Sequence, residues 1–374
     1  MKGFRVLLAL CLSVSLFAAT PALAAVKPIE RYDIGDVSPD PRFYESIERF
    51  IYTDIIDGYV ETETYEEDGE VYEDSYVSVR PDEKVTRAQF TKILVNALSL
   101  KEGAKVKEFS DVKSAKWYYN YVRIASSQGI ITGRSDGKFY PDENITRDQM
   151  AVMIYRAFKG SVAFPTSIKT FKDVPAKSFA YEAVVKLAAN GIIQGYGDTF
   201  KPQNPATRGQ AIAILDRAMN QEAGAPEDKQ AVTQVVDRNI QEEIRLMKEE
   251  NMPALEALYR ETTTGYYLSY SLGSMTLGGD MEELDGTLSM EPIGVHSLKA
   301  VAVHKRLAEV RIDNLKYKVS FTSPDLSFSV NVDASGAAYL KKGSDGKWKI
   351  YNIVLDEEPG EDWQSEISAA AKES

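Results

Sequence analysis

Hydrophobic and polar positions follow two rhythms along this chain. Up to about residue 220, apolar side chains recur three or four positions apart, the spacing of one helical face; beyond about residue 295 they recur every second position, the spacing of a strand. In the helical part the apolar stripes come in pairs. Phe43, Ile47, Phe50 and Ile51 predict one helix, and Phe90, Ile93, Leu94 and Leu98 a second. Tyr118, Tyr121, Val122 and Ala125 predict a third, with Met150, Ile154, Ala157 and Phe158 for the fourth. Phe179, Ala183, Val184 and Leu187, then Ile212, Ile214 and Leu215, complete the third pair. Gln128-Gly129 and Asn190-Gly191 are stop signals, because glycine takes the left-handed cap readily.

The pairs belong to a repeat. Asp36, Asp111 and Asp173 each precede by 22 residues a glycine, Gly58, Gly133 and Gly195, that follows an Ile-Ile pair. Each copy then reaches a Thr-Arg pair: Thr86-Arg87, Thr146-Arg147 and Thr207-Arg208. Each threonine is an N-cap candidate with a glutamine three positions on (Gln89, Gln149, Gln210), so a capping box is available in every copy. The aspartates read as turn residues that accept backbone N–H bonds. The first copy carries an insertion of about 15 residues with Glu61, Glu63, Glu66, Glu67, Asp68, Glu70, Glu73 and Asp74. It predicts a solvated loop or small hairpin, and its carboxylates lack the coordination spacing of a calcium loop. One unit of 50–60 residues buries too little surface alone, so the three must pack together, as a linear solenoid or a compact near-threefold cluster.

After the breaker Gly224-Ala225-Pro226, Val232, Val235, Val236, Ile240, Ile244 and Met247 predict one long amphipathic helix, and Pro253 opens or kinks another piece with Leu255, Leu258 and Tyr259. Strands are predicted over 295–303, 308–312, 317–329 and 337–341, and a hairpin turn at Gly346 leads into a last strand over 347–353. His296 and His304 form no metal motif, and Asp313 and Asp333 have no evident acid–base partner. Trp348 and Tyr351 read as core and sheet-face aromatics.

Composition narrows the setting. Residues 1–24 combine Lys2 and Arg5 with an apolar run and small residues at Ala22 and Ala24, the pattern of a secretory signal peptide. Removing them takes the formal charge from −12 to −14, because two basic residues go, and also removes the only cysteine, Cys11. The mature chain is then expected outside the cell, without thiol chemistry and without a membrane span. Its acidic balance argues against nucleic acid.

Several motifs recur in order: Thr86-Arg87-Ala88-Gln89, Thr146-Arg147-Asp148-Gln149 and Thr207-Arg208-Gly209-Gln210; Phe109-Ser110-Asp111-Val112 and Phe171-Lys172-Asp173-Val174; Phe139-Tyr140-Pro141 and Phe200-Lys201-Pro202. On these residues the segments 29–100, 104–160 and 166–220 resemble three tandem surface-layer homology (SLH) domains, a resemblance covering just over half the chain. It implies a mainly α-helical pseudo-threefold assembly that binds secondary cell-wall polymer, often through a pyruvylated amino sugar. Carried over by position, Arg87, Arg147 and Arg208 would read carboxylate, beside helix N-termini that add N–H donors. Gly58, Gly133 and Gly195 would admit the sugar close to the backbone, and Asp36, Asp111 and Asp173 would bond its hydroxyls or serve only the turns. The family often has glutamate where Gln89, Gln149 and Gln210 stand. The acidic insertion makes the first copy the least convincing site, so Arg147 and Arg208 carry most of the expectation.

Residues 221–230 read as a linker, 231–355 as an α+β domain with a curved antiparallel sheet that resembles the nuclear-transport-factor-2-like (NTF2-like) superfamily, and 356–374 as an acidic tail. The whole is a multidomain chain. Its expected function is non-enzymatic anchoring of a secreted protein at the bacterial cell wall or S-layer, with no cofactor and no metal. Its expected partners are secondary cell-wall polymer or a peptidoglycan-linked glycan, with a surface protein for the C-terminal domain. The alternative is a surface enzyme or small-ligand binder whose C-terminal cone acts while the repeats localise it.

Overall fold

In a computed structural model, residues 26–37, 43–67, 70–277, 287–324 and 327–356 are described. The expected signal peptide and nearly all of the acidic tail lie outside them. The chain divides into two compact units, one of residues 30–224 with 304–306 and one holding most of the remainder.

The first unit holds α1 (Tyr44–Tyr52), the hairpin β1 (Tyr59–Glu67) and β2 (Glu70–Ser78), α2 (Arg87–Ala97), α3 (Tyr119–Ser127), α4 (Arg147–Phe158), α5 (Tyr181–Ala189) and α6 (Arg208–Met219). The acidic insertion is that hairpin, paired in register from Tyr59↔Ser78 to Glu67↔Glu70. The packing is cyclic. Each first helix lies on the second helix of the preceding copy: α3 on α2, α5 on α4, and α1 on α6. Helix α6 also packs on α2 and α4. The second helices are buried on nearly every side, α6 from Arg208 through Met219 with few breaks, as helices at the centre of a cluster must be.

Backbone bonds close the same ring. Val85 donates to the Ala206 carbonyl (3.1 Å), Ala206 to Ile145 (2.9 Å) and Ile145 to Val85 (3.0 Å). Three residues from three copies thus satisfy one another at the centre, where an unpaired amide would be costly.

The caps follow the expectation in two copies. Thr86 with Gln89, and Thr207 with Gln210, form complete capping boxes. In the second copy the box is absent: the Thr146 hydroxyl donates to Asp148, and Asp148 accepts the Gln149 N–H (2.7 Å). Asp148 stands where the other copies have Ala88 and Gly209, and its nearer carboxylate displaces Gln149 from the cap. The first helices end as expected, with Gly129 (φ 70°) and Gly191 (φ 71°) left-handed, and Asp54 (φ 56°) in the corresponding place of the first copy.

The second unit holds α7 (Asp228–Lys248), α8 (Met252–Thr262), α9 (Gly265–Leu277) and β3 (Thr287–Ile293), β4 (Ser297–Val303), β5 (Leu307–Asp313), β6 (Lys316–Thr322), β7 (Ser327–Asp333), β8 (Gly336–Lys342) and β9 (Trp348–Leu355). The strands form two antiparallel sheets, ordered β3-β6-β7 and β4-β5-β8-β9. Helix α7 packs on strands of both, burying Val232, Val236 and Ile240 with Val310, Ile312, Tyr317, Leu340 and Ile350. The predicted strand over 317–329 is two antiparallel strands, one ending at Thr322 and the next starting at Ser327, with Pro324 between them, since proline cannot continue a ladder. Helix α9 and strand β3 were not foreseen; in α9 only Leu268, Leu272 and Met275 mark the buried face, among tyrosines, serines and glycines. Irregular pairing in β4 and between β8 and β9 marks bulges, which bend strands.

Trp348 is core, as expected, and its indole donates to Asp228 (2.9 Å), which Lys342 also reaches (2.7 Å). Burial raises the Asp228 carboxyl, but these donors outweigh it and hold the group below its ordinary value. His296 precedes β4 and His304 follows it, so they do not share a strand; His296 Nε2 lies 2.9 Å from Asp237. Among the described residues no helix is long and apolar enough to cross a membrane, and no cluster of three or more His, Cys, Asp or Glu could hold a metal.

Candidate functional site

The three Thr-Arg arginines open α2, α4 and α6, and all are nearly buried: Arg87 is 7%, Arg147 5% and Arg208 8% exposed. Each reaches into the glycine turn of the next copy. Arg87 Nε donates to the Phe139 carbonyl (2.8 Å) and Nη1 to Gln149 Oε1 (2.8 Å). Arg147 Nε donates to the Phe200 carbonyl (2.9 Å) and Nη2 to the Gln194 carbonyl (2.8 Å). Arg208 donates to the Val79 carbonyl (3.1 Å) and to the Tyr59 hydroxyl (2.7 Å). Aromatic faces complete the seats: Phe139 under Arg87, Phe200 and Tyr196 under Arg147, and Tyr59 under Arg208.

This exchange between copies was not legible in the repeats. Sequence order pairs Arg147 with Gly133, whereas the fold pairs Arg87 with Gly133, Arg147 with Gly195, and Arg208 with Gly58. The acidic hairpin therefore belongs to the Arg208 groove. There Arg80 pairs with Glu61 (2.9 Å) and Glu83 (3.7 Å), and Glu83 also lies 3.9 Å from Arg208. The two grooves free of the insertion are those of Arg87 and Arg147, not Arg147 and Arg208.

Burial lowers the pKa of Arg87 and Arg147, and for Arg87 the neighbouring Arg134 charge adds to it. A guanidinium starts so high that both stay charged near neutrality. The helix N-termini, by contrast, are occupied. The N–H groups of Arg87, Arg147 and Arg208 go to the carbonyls of Glu143, Asn204 and Glu83, and those of Ala88, Asp148 and Gly209 to Pro141, Pro202 and Pro81. Cyclic packing has used the donors that an isolated helix would offer to an anion.

The aspartates hold the turns. Asp111 accepts from the Phe139 and Tyr140 N–H groups (2.9 and 2.6 Å), and Asp173 from Phe200 and Lys201 (both 2.7 Å). Asp36 accepts from Val79 and Arg80 (2.7 and 2.6 Å) and from the Ser78 hydroxyl (2.9 Å). Each thus pins a left-handed residue before proline: Arg80, Tyr140 or Lys201, with φ of 55–58°. The glycines are needed for packing. A Cβ on Gly133 would lie 2.4 Å from the Phe109 ring and 2.9 Å from the Lys138 carbonyl, and one on Gly195 would lie 2.2 Å from the Phe171 ring.

A cavity of about 260 Å³ opens at the Arg87 groove, lined by Arg87, Arg134, Gln149, Arg156 and Phe179 among others. Phe179, expected on the buried face of the first helix, lies ahead of α5 and is 69% exposed. Its place directly before Ala180-Tyr181, one turn short of the stripe, was the available signal. Arg156 and Arg217, nine residues after Arg147 and Arg208, were missed altogether. They donate to the Ile130 and Ile192 carbonyls, a task Asn96 performs on Ile55 in the Arg208 groove. Their polar tips break otherwise apolar helices, which was the sequence signal.

Residues 108–151 and 170–212 match the family model of the S-layer homology domain, so the second and third copies are SLH domains. Similar proteins include an endoglucanase of Bacillus sp. (strain KSM-635), 36% identical over 146 residues, which are 38% of this chain and 15% of the relative. A cellulosome-anchoring protein of Acetivibrio thermocellus is 30% identical over 148 residues, 37% of this chain and 33% of the relative. The middle cell wall protein of Brevibacillus brevis is 28% identical over 247 residues, 64% of this chain and 20% of the relative. The chain spans 15–33% of the length of these relatives.

Proposed function

We propose that the N-terminal unit anchors the protein non-covalently to the bacterial cell wall by binding the carbohydrate of a secondary wall polymer, pyruvylated or otherwise anionic. The observation that carries this reading is the set of nearly buried arginines, each held by carbonyl oxygens at a groove, with a cavity at Arg87. A buried cation with no carboxylate in hydrogen-bond contact attracts an anion, Arg87 and Arg147 more than Arg208, which has Glu83 3.9 Å away. A guanidinium fork suits a carboxylate. The SLH matches and the cell-wall and anchoring names of the relatives agree with that use. The first copy is read as a third SLH domain because it supplies Arg87 and the Gly58 turn to the same cyclic arrangement. Several weak grooves on one body reinforce one another on a repeating polymer.

The C-terminal unit is read as an NTF2-like module without enzymatic activity, displayed outward and available to another surface protein. Its helices over antiparallel sheets support that fold. Among the described residues its strongly perturbed buried carboxyl, Glu243, accepts a bond from Tyr259 (2.6 Å) within the core.

Retention on purified Gram-positive walls tests the anchoring. The full chain should sediment with walls that keep their secondary polymer and stay in solution with walls stripped of it. Changing Arg87 and Arg147 together to Gln should cut retention at least about tenfold with helical content unchanged. Equal retention on stripped walls, or by the double variant, would sink the reading.

A further inference from the structure

Two positions flank each groove: the residue after the turn glycine (Tyr59, Arg134, Tyr196) and the left-handed residue before proline (Arg80, Tyr140, Lys201). In every groove they form a cation–aromatic pair. Arg80 lies 4.2 Å from the Tyr59 ring centre, Arg134 4.1 Å from Tyr140, and Lys201 4.3 Å from Tyr196. The Arg87 groove has the pair reversed. In the other two, a tyrosine ring stands beside the buried arginine, at 4.8 Å from Arg208 and 5.1 Å from Arg147. In the Arg87 groove a second guanidinium, Arg134, takes that place and lines the same cavity as Arg87 and Arg156.

Two further differences mark this groove. Asp148 removes Gln149 from the helix cap, and Gln149 instead accepts from Arg87 Nη1. That bond orients the guanidinium and leaves Nη2 without a protein partner among the described residues. The carboxylate that balances Arg134 is Glu143, and both side chains of this pair are exposed, at 40% and 46%. The pair is bidentate but open to water, so a second anion can compete with Glu143 for Arg134.

From these observations we infer that Arg134 makes the Arg87 groove selective for a sugar carrying two anionic groups, one met by Arg87 and the other by Arg134. The Arg147 and Arg208 grooves keep a tyrosine face suited to stacking on a sugar with a single anionic group. This rests on the reading of the grooves as glycan sites. It makes the three sites chemically unequal, with specificity set by which member of the pair is the cation.

The test uses the full chain with Arg147 and Arg208 both changed to Gln, so that the Arg87 groove alone is intact. In it, Arg134→Tyr with Tyr140→Arg restores the order of the other grooves. The swap keeps a cation–aromatic pair, and arginine already occupies the corresponding left-handed position at Arg80. The probes are glucuronic acid, with one anionic group, and glucuronic acid 1-phosphate, with two, titrated by NMR. The parent should bind the phosphorylated sugar about tenfold more tightly, and the swap should reduce that preference to about twofold or less while keeping glucuronic acid binding. An unchanged preference in the swap, or no binding of either sugar, overturns the assignment. If the wild-type chain is still retained on polymer-bearing walls, the anchoring reading survives that result; if it is not, both fall.

Discussion

The two units each bury ionisable side chains, and they resolve the cost in opposite ways. In the N-terminal unit buried Asp216 and Glu222 are paired with Arg49 and Arg306, and Asp148 is held by Thr146, Gln149 and Gln203. Arg87, Arg147 and Arg208, by contrast, are buried at the grooves. Carbonyl oxygens and aromatic faces hold them, and none of their hydrogen bonds goes to a carboxylate. In the C-terminal unit buried Asp228 is paired with Lys342, whereas Glu243 is bonded to Tyr259 and close enough for its charge to act on Tyr267 and Tyr317. Burial pushes the Glu243 carboxyl up to about 7, the Tyr259 hydroxyl pulling slightly the other way. A carboxylic acid can escape the penalty of burial by keeping its proton, whereas a guanidinium cannot lose one near neutrality. The acid therefore needs no counter-ion, while the arginines keep their charge at the grooves, Arg208 with Glu83 3.9 Å away. That contrast is the physical reason to look for a ligand in one unit and not at the buried acid of the other.

The contrast can be broken in three ways, the largest effect first. Because the folded pKa of Glu243 lies above the unfolded one, the folded state binds the extra proton between them. Stability of the C-terminal unit should then be greatest below about pH 4.5 for this group and fall as pH rises to about 7, by up to roughly 3 kcal/mol. Glu243→Gln should flatten that slope. Denaturation followed by Trp348 fluorescence at pH 5 and pH 8, with Trp117 and Trp363 changed to Phe, reads the difference directly. A wild-type slope that persists in the Gln variant would assign the titration elsewhere.

Next in size, Arg147→Lys keeps a cation but loses the fork that reaches both the Phe200 and Gln194 carbonyls. Wall retention through this groove should fall about tenfold, measured with Arg87 and Arg208 already changed to Gln. Full retention by the Lys variant would reduce the arginine to a point charge. The smallest effect is the most diagnostic of the comparison: wild-type wall retention should vary less than about twofold from pH 5 to pH 8, because the arginines stay charged throughout. Binding that follows a transition near pH 7 would connect it to a group such as Glu243 instead.

Much of this architecture was legible along the chain. The apolar stripes located the helices of the repeats, the turn glycines and aspartates announced their turns, and Thr86 and Thr207 announced their caps. The third capping box failed for a local reason, Asp148 being a nearer acceptor than Gln149. The helix α9 escaped because its apolar stripe is only Leu268, Leu272 and Met275, set among tyrosines, serines and glycines, and the strand run over 317–329 hid the break at Pro324.

The placement of the site was of another kind. Spacing and side-chain chemistry along the sequence determined that three copies exist, that each opens its second helix with an arginine, and that each has a glycine turn. Which arginine meets which turn was decided only when the copies closed into a ring, since each first helix packs on its predecessor's second helix and each arginine reaches into the following copy. Local sequence dictates local elements because their hydrogen bonds and caps lie within a few residues. The grooves depend on contacts between residues such as Arg208 and Tyr59, 149 positions apart, and packing alone decides those.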